Sequence, residues 1–77
     1  MTPEQALDVI RNAILDVAPD TDPNSITGDV DFRQALAIDS MDFLDILETV
    51  ASDTGIEVPE ADYPKIITLA GFAAYLS

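Results

Sequence analysis

Apolar residues recur along the first part of this chain at the three- and four-residue spacing of an amphipathic helix. Thr2 and Gln5 have the spacing of a capping box, and Pro3 suits the first helical position. Pro19 disfavours helical backbone in the residue before it, so the pattern predicts a first helix that ends near Ala18. Its predicted buried stripe consists of Leu7, Ile10, Ile14 and Val17.

Residues 19–39 are rich in proline, aspartate, asparagine and glycine, so they predict a long connection rather than a helix. A connection of this length in a small chain is usually packed or functional. We expect Asp31 to cap a short helical turn that ends at Ala35. We also expect the apolar side chains of the connection to pin it to the core, namely Ile26, Val30, Phe32, Leu36 and Ile38.

A second helix is predicted from about Ser40 to Asp53, with Gly55 closing it. On a helical wheel its apolar residues share one arc, which we assign to the core, and its carboxylates share the opposite arc. Met41 is the exception, because it lies within the acidic arc. The core arc holds Phe43, Leu44, Ile46, Leu47, Val50 and Ala51, and the acidic arc holds Asp42, Asp45, Glu48 and Asp53.

The rest of the chain predicts one short helix and one longer helix. The short helix, residues 60–63, is limited to about one turn because Pro64 follows it. Thr68 caps the last helix, in which Gly71 costs about 1 kcal/mol relative to alanine. The predicted fold is all-α: a small four-helix bundle of three main helices and one short helix, with a long loop between the first and second, in one domain over residues 1–77. The buried face of the last helix is predicted to be Leu69, Phe72, Ala73 and Leu76.

Composition restricts the chemistry of the chain. It has 15 acidic and 3 basic residues, a net charge of −12, and neither cysteine nor histidine. The missing residues exclude Cys-His and Ser-His-Asp catalysis, disulfides and thiolate metal sites. Carboxylate chemistry remains open, but a chain this short has little room for a walled pocket, so we expect neither an enzyme nor a metal centre. The charge disfavours nucleic acid and anionic membranes and favours basic partner surfaces. Without an apolar span or a signal peptide, we expect a cytoplasmic location, or the interior of an organelle if a transit peptide was removed. We also expect a monomer.

The tripeptide Asp39-Ser40-Met41 stands where the long connection turns into the acidic helix. A serine there is either a helix N-cap or a hydroxyl presented for modification by another protein, and the two roles are compatible. Met41 either anchors a partner from within the acidic arc or folds back onto the long loop. The candidate docking surface consists of Met41, Asp42, Asp45 and Glu48.

These residues resemble those of the acyl carrier protein family, small acidic proteins that carry 4′-phosphopantetheine on a serine. The attachment motif of that family, Asp-Ser-Leu, is similar to Asp39-Ser40-Met41. Three further family patterns occur in order, with family-like spacing, and the resemblance covers nearly the whole chain. They are Phe-x-x-x-Leu at Phe32–Leu36, Ile-Pro-(Asp/Glu) at Val58-Pro59-Glu60, and Lys-Ile-Thr-Thr at Lys65-Ile66-Ile67-Thr68.

The chain departs from the family pattern at three positions. Ala37 replaces the usual glycine, Met41 replaces leucine, and Pro64 interrupts the third helix. In the family the acyl chain enters between the second and third helices. The resemblance therefore implies that Tyr63 narrows or reshapes this pocket and that the chain is a specialised carrier. The acyl-pocket candidates are Leu47, Val50, Val58, Tyr63 and Ile66.

The resemblance also implies a function. Ser40 would hold a 4′-phosphopantetheine that comes from coenzyme A and is attached by a carrier-protein synthase, a phosphopantetheinyl transferase. Asp39 would cap the helix and take part in recognition. Acyl thioesters would then pass between enzymes with basic surfaces in fatty acid or related lipid or polyketide biosynthesis. Such strong acidity is more typical of acyl carriers than of aminoacyl or peptidyl carriers.

Two alternatives to a carrier remain open at this point. Asp20-x-Asp22-x-Asn24 has the spacing of an EF-hand start, but the sixth and twelfth loop positions hold serine and aspartate instead of glycine and glutamate. Weak binding of divalent cations to clustered carboxylates is nevertheless compatible with the sequence. The second alternative is an acidic helical adaptor that binds a basic partner and carries no prosthetic group.

Overall fold

The structure, a computed structural model that describes residues 1–77, is built from α-helices and two 3₁₀ segments. The predicted all-α fold is confirmed. Three of the α-helices are long enough to pack against one another, and the fourth is a single turn. The α-helices are α1 (Pro3–Val17), α2 (Phe32–Ala35), α3 (Ser40–Thr54) and α4 (Leu69–Leu76), and the 3₁₀ segments are Pro23–Ser25 and Glu60–Lys65.

Helix α1 begins at the predicted capping box. The Gln5 N–H donates to Thr2 Oγ1 at 3.2 Å, and the Thr2 N–H donates to Gln5 Oε1 at 2.9 Å. The buried face of α1 is broader than the predicted stripe, because α1 packs against both α3 and α4. Its fully buried residues are Ala6, Ile10, Ala13 and Ile14, whereas Leu7 and Val17 are only partly buried.

The long connection between α1 and α3 is held to the core by Phe32. Its ring is fully buried and lies 6.1 Å from the Phe43 ring of α3 and 6.4 Å from the Phe72 ring of α4, between centroids. Burying a phenylalanine side chain contributes about 1.5–3 kcal/mol. The Phe32 N–H also donates to the carbonyl of Ile67 at 3.0 Å, beside the only β-bridge of the fold. One residue thus joins the connection to two helices.

The other apolar residues of the connection divide into three groups. Ile38 is buried as predicted, and Ile26 and Leu36 are partly buried against the core. Val30 was predicted to pack inward, but it is exposed because it lies in the surface turn at residues 28–30. The connection is therefore anchored mainly through its second half, which leads directly into α3.

Helix α2 is a single turn that ends in a Schellman motif. The Ile38 N–H donates to the Arg33 carbonyl at 2.8 Å, and the Ala37 N–H donates to the Gln34 carbonyl at 3.3 Å. This motif places Ala37 in the left-handed region, with φ of 54°. A residue with a Cβ loses about 1–2 kcal/mol in that conformation, which explains why glycine is usual at this position. The strained residue lies three positions before the start of α3.

Helix α3 extends one residue beyond its predicted end at Asp53 and is closed by Gly55, which has a φ of 74°. Four residues of the predicted core arc are buried. Leu44 was also assigned to the core, but it is 46% exposed because it lies at the edge of the apolar arc. The buried residues are Phe43, Ile46, Leu47 and Val50.

The 3₁₀ segment Glu60–Lys65 is longer than the single turn predicted from Pro64. That prediction was wrong because the φ of proline, about −65°, is also suitable for 3₁₀ backbone. Pro64 has no N–H to donate, so the segment lacks one hydrogen bond in its interior. The hydrogen bonds at its two ends are present. The Asp62 N–H donates to the Pro59 carbonyl at 2.8 Å, and the Ile66 N–H donates to the Tyr63 carbonyl at 3.0 Å.

Helix α4 begins at Leu69 and is capped by Thr68 as predicted. Thr68 Oγ1 accepts a hydrogen bond from the Gly71 N–H at 3.0 Å. A Cβ at Gly71 would lie 2.5 Å from the Lys65 carbonyl oxygen and 2.9 Å from Thr68 Oγ1. Glycine is therefore required where α4 approaches the end of the 3₁₀ segment. The predicted buried face of α4 is confirmed at all four positions: Leu69, Phe72, Ala73 and Leu76.

We expect Ala37→Gly to raise the free energy of unfolding by about 0.5–1 kcal/mol, because relief of left-handed strain exceeds the extra entropy that glycine loses on folding. Urea denaturation measures the change. Ala35→Gly is the control: this exposed residue is helical, so glycine there should lower the free energy of unfolding by about 0.5–1 kcal/mol. A destabilised Ala37→Gly variant would contradict the strained conformation.

Candidate functional site

The first turn of α3 is held by Asp39. Its Oδ1 accepts a hydrogen bond from the Asp42 N–H at 2.8 Å, and its carbonyl accepts one from the Phe43 N–H at 2.9 Å. Asp39 is therefore the N-cap, in agreement with the capping role predicted for it. The interpretation of Ser40 as the N-cap is wrong, because the carboxylate one residue earlier already accepts the hydrogen bond. Ser40 is instead the first residue of the helix.

Ser40 is exposed, and its hydroxyl makes no hydrogen bond within the protein. It lies at a cleft of about 500 Å³, which we call the Ser40 cleft. The chain has no histidine, and Asp39 is engaged with the helix amide. Glu60, the other carboxylate of the cleft, makes no hydrogen bond with the Ser40 hydroxyl, so no side chain of the protein is placed as its base. The lining residues are Arg33, Gln34, Ile38, Asp39, Ser40, Phe43, Leu44, Glu60 and Tyr63.

Arg33 is the only basic residue that lines the Ser40 cleft. Its Nε donates to Asp31 Oδ1 at 3.2 Å, and its Nη2 donates to Asp31 Oδ2 at 3.0 Å. These hydrogen bonds hold the pKa of Asp31 below its ordinary value and raise the pKa of Arg33. The guanidinium carbon also lies 5.3 Å from the centroid of the Phe43 ring, a cation–π distance. Two contacts thus fix the guanidinium at the cleft.

Tyr63 and Leu44 separate the Ser40 cleft from a second pocket of about 260 Å³, because both residues line both spaces. The Tyr63 ring packs edge-on against Phe43, with centroids 5.5 Å apart. Of the acyl-pocket candidates, Leu47, Val58 and Tyr63 line this second pocket. Val50 and Ile66 are buried in the core and line neither space.

The 3₁₀ segment that contributes Tyr63 is tied to α4 through Asp62. The Tyr75 hydroxyl donates to Asp62 Oδ2 at 2.8 Å, and the Lys65 ammonium lies 3.1 Å from Asp62 Oδ1. The hydrogen bond from Tyr75, followed by that from Lys65, lowers the pKa of Asp62, and the same contact with Asp62 raises the pKa of Tyr75. We call these three residues the Asp62 latch.

The candidate docking surface lies along α3 beside Ser40. Met41 is 75% exposed, so the alternative in which it folds back onto the long loop is wrong. Asp45 and Glu48 are exposed, and Asp42 is partly buried. Leu44, which the helical wheel assigned to the core, adds a second exposed apolar side chain one turn after Met41.

The three carboxylates of the candidate docking surface also border a groove of about 600 Å³ between α3 and the end of α1, which we call the acidic groove. No group of three or more metal-ligating side chains in the structure is arranged to hold an ion. The proposed start of an EF-hand instead forms a 3₁₀ turn, in which Asp22 accepts a hydrogen bond from the Asn24 N–H at 3.1 Å. The carboxylates of the acidic groove are Asp16, Asp42, Asp45, Glu48 and Asp53.

Sequence reasoning did not identify Arg33 and Phe43 as residues of the site. The available signal was weak: Arg33 is one of only three basic residues and follows the anchoring Phe32. Phe43 was assigned to the core, and it is 4% exposed, yet its ring also borders the cleft. A helical wheel cannot show this dual role, because the cleft is formed by α2 and the 3₁₀ segment as well as α3.

A protein-family model described as "Phosphopantetheine attachment site" matches residues 8–76. The chain therefore belongs to this family of carrier proteins, which hold a covalently attached 4′-phosphopantetheine and are not enzymes. Membership implies interaction with a phosphopantetheinyl transferase and with synthase enzymes in general. No solved structure matches the chain. None of its helices combines the length and the apolar character needed to cross a bilayer.

The residues at the start of α3 fit a phosphopantetheine group. Ser40 offers an exposed hydroxyl without an internal hydrogen bond, and the adjoining cleft is open to solvent. Arg33 supplies guanidinium donors suited to a phosphate, and Gln34 and Tyr63 supply further polar atoms. Family membership also argues against the alternative of an acidic adaptor that carries no prosthetic group.

We expect Tyr75→Phe to be most destabilising near neutral pH, where ionised Asp62 accepts the hydrogen bond from Tyr75. Because the folded-state pKa of Asp62 is lowered, the stability it contributes is present above its unfolded pKa, about 4, and is lost as pH falls through the lower folded value. Urea midpoints of wild type and variant should therefore converge with falling pH.

The control for the Asp62 latch is Tyr63→Phe, since the Tyr63 hydroxyl makes no hydrogen bond within the protein. Its effect should not change across the same pH range. A difference between wild type and Tyr75→Phe that stays constant from neutral pH to below about pH 3 would contradict the latch.

Proposed function

We propose that Ser40 carries the 4′-phosphopantetheine and that the chain is an acyl carrier protein. In this role it shuttles acyl groups as thioesters between enzymes of fatty acid or related lipid or polyketide biosynthesis, with residues 1–77 acting as one carrier domain. The observation that carries the proposal is the exposed hydroxyl of Ser40, which has no internal hydrogen bond and stands on the first residue of α3 at an open cleft.

The attachment step requires from the chain mainly that the Ser40 hydroxyl be held in an accessible position. The Ser40 oxygen attacks the β-phosphorus of coenzyme A, and the bond from that phosphorus to the departing adenosine 3′,5′-bisphosphate breaks. The hydroxyl proton goes to a base on the transferase, because the carrier has no histidine, Asp39 is committed to the N-cap, and Glu60 makes no hydrogen bond with the hydroxyl. Asp39 acts as a positioning residue, since it holds the turn from which Ser40 projects.

Two features support an acyl cargo. The pocket beyond Tyr63 and Leu44 is lined mainly by apolar residues, which suits a hydrocarbon chain. The net charge of −12 gives the chain the strong acidity expected of acyl carriers.

Docking to partner enzymes is assigned to Met41, Asp42, Asp45 and Glu48, with Leu44 as an added apolar contact. Exposed ion pairs contribute little individually, about 0–1 kcal/mol each. A cluster of them instead speeds diffusional encounter with basic surfaces and makes it sensitive to salt. Fast and weak docking suits a carrier that must leave each enzyme after one transfer.

We expect Ser40→Ala to abolish the mass gain that a phosphopantetheinyl transferase produces with coenzyme A and Mg²⁺. The free energy of unfolding should change by less than about 0.5 kcal/mol, because Ser40 is not the N-cap. Ser52→Ala, at another exposed serine of α3, is the matched control and should be modified like wild type. A gain of phosphopantetheine by the Ser40→Ala variant in intact-mass spectra would show that Ser40 is the wrong residue.

The double variant Met41→Ala, Asp45→Lys should be modified about tenfold more slowly at low salt, because it loses the apolar anchor and reverses one steering charge. The rate is measured from intact-mass spectra of samples quenched at successive times. Circular dichroism should show unchanged helix content. Leu15→Ala, Asp8→Lys makes the matched changes at exposed positions of α1 and should react like wild type apart from the small effect of net charge. Equal rates for the two double variants would count against the docking surface.

A further inference from the structure

Two open spaces flank the first half of α3, and they differ in charge. The acidic groove is bordered by five carboxylates and no cation. The Ser40 cleft contains Arg33, and Ser40 lines this cleft but not the acidic groove. The Ser40 cleft also has two carboxylates, Asp39 and Glu60, and Arg33 is already paired with Asp31, so the two spaces differ in that only the cleft offers an anion a positively charged group. A phosphodiester formed on Ser40 is an anion, so the Arg33 guanidinium favours the cleft and the five carboxylates disfavour the acidic groove.

The guanidinium of Arg33 is prepared to bind an anion. Asp31 engages only Nε and Nη2, so the remaining donors of the five that a guanidinium carries are available. The side chain is 37% exposed, and the Phe43 ring supports it at the cleft. Little side-chain entropy is left to lose on binding, because the fork is already fixed.

The rest of the cleft matches the chemistry of the phosphopantetheine arm beyond its phosphate. The arm carries a pair of geminal methyl groups, a hydroxyl and two amides before its terminal thiol. Gln34, Glu60 and Tyr63 supply hydrogen-bonding groups for the amides and the hydroxyl, and Phe43 supplies an apolar surface for the methyl groups. Asp39, the other carboxylate of the cleft, is turned to the Asp42 amide.

We propose that the Ser40 cleft is a resting site for the phosphopantetheine arm, in which Arg33 donates hydrogen bonds to the phosphodiester and the arm lies between α2 and the 3₁₀ segment Glu60–Lys65. This inference rests on the proposed attachment at Ser40. It gives Arg33 the role of a binding residue for the prosthetic group. The unloaded arm is then held against the protein between deliveries instead of moving freely in solvent.

The test uses the full chain after modification, with intact mass confirming one phosphopantetheine. Nuclear Overhauser effects between the geminal methyl protons and the ring protons of Phe43 or Tyr63 report the resting arm. We expect these effects in wild type and their loss in Arg33→Gln. Arg11→Gln is the matched control, because it makes the same substitution on α1, outside the cleft, so it should keep them.

Each outcome separates the two proposals. No mass gain at Ser40 would overturn the proposed function and, with it, the resting site. A mass gain without Overhauser effects to cleft residues in wild type would overturn only the resting site, whatever the variants do. Equal effects in the two variants would show that Arg33 does not hold the arm. If Arg33→Gln fails to fold, Arg33→Lys replaces it and should weaken the effects, because lysine lacks the fork.

Discussion

The burial of Phe32 is the interaction on which the arrangement of the site depends. The connection between α1 and α3 has little regular structure to hold it, and the aromatic contacts of Phe32 with Phe43 and Phe72 supply that constraint. The backbone hydrogen bond from Phe32 to Ile67 fixes the same point to the start of α4. Because Phe32 is the first residue of α2, the position of Ser40 is set through only a few residues from this anchor.

The segment from Phe32 to Ser40 contains one feature that lowers the stability of the fold and one that raises it. The Schellman motif turns the chain sharply but forces Ala37 into a left-handed conformation. Asp39 then accepts a hydrogen bond from the Asp42 N–H, and an N-cap of this kind typically stabilises a helix start by about 1 kcal/mol. The result is a rigid helix start with an exposed hydroxyl on its first residue. A carrier needs this arrangement, because the modifying enzyme must find the same oxygen in the same place in every molecule.

The sequence predicted those features that depend on local chemistry. Thr2, Asp31 and Thr68 cap helices as expected, because capping involves a side chain and an amide two or three residues away. Features that depend on packing between elements were missed or misassigned. Leu44 looked apolar enough for the core, yet no element covers it, and Arg33 became part of the site only because α2 lies beside α3. The acyl-pocket candidates were only partly right for the same reason. Leu47, Val58 and Tyr63 line the pocket, whereas neighbouring elements bury Val50 and Ile66 in the core.

We propose a single hydroxyl, that of Ser40 at the start of α3, as the attachment point of this carrier. The most direct measurement is peptide mapping by tandem mass spectrometry after the wild-type protein reacts with coenzyme A, Mg²⁺ and a promiscuous phosphopantetheinyl transferase. We expect each chain to gain one phosphopantetheine, and fragment ions should assign it to Ser40. An unmodified protein, or a group located on any other residue, would contradict this proposal.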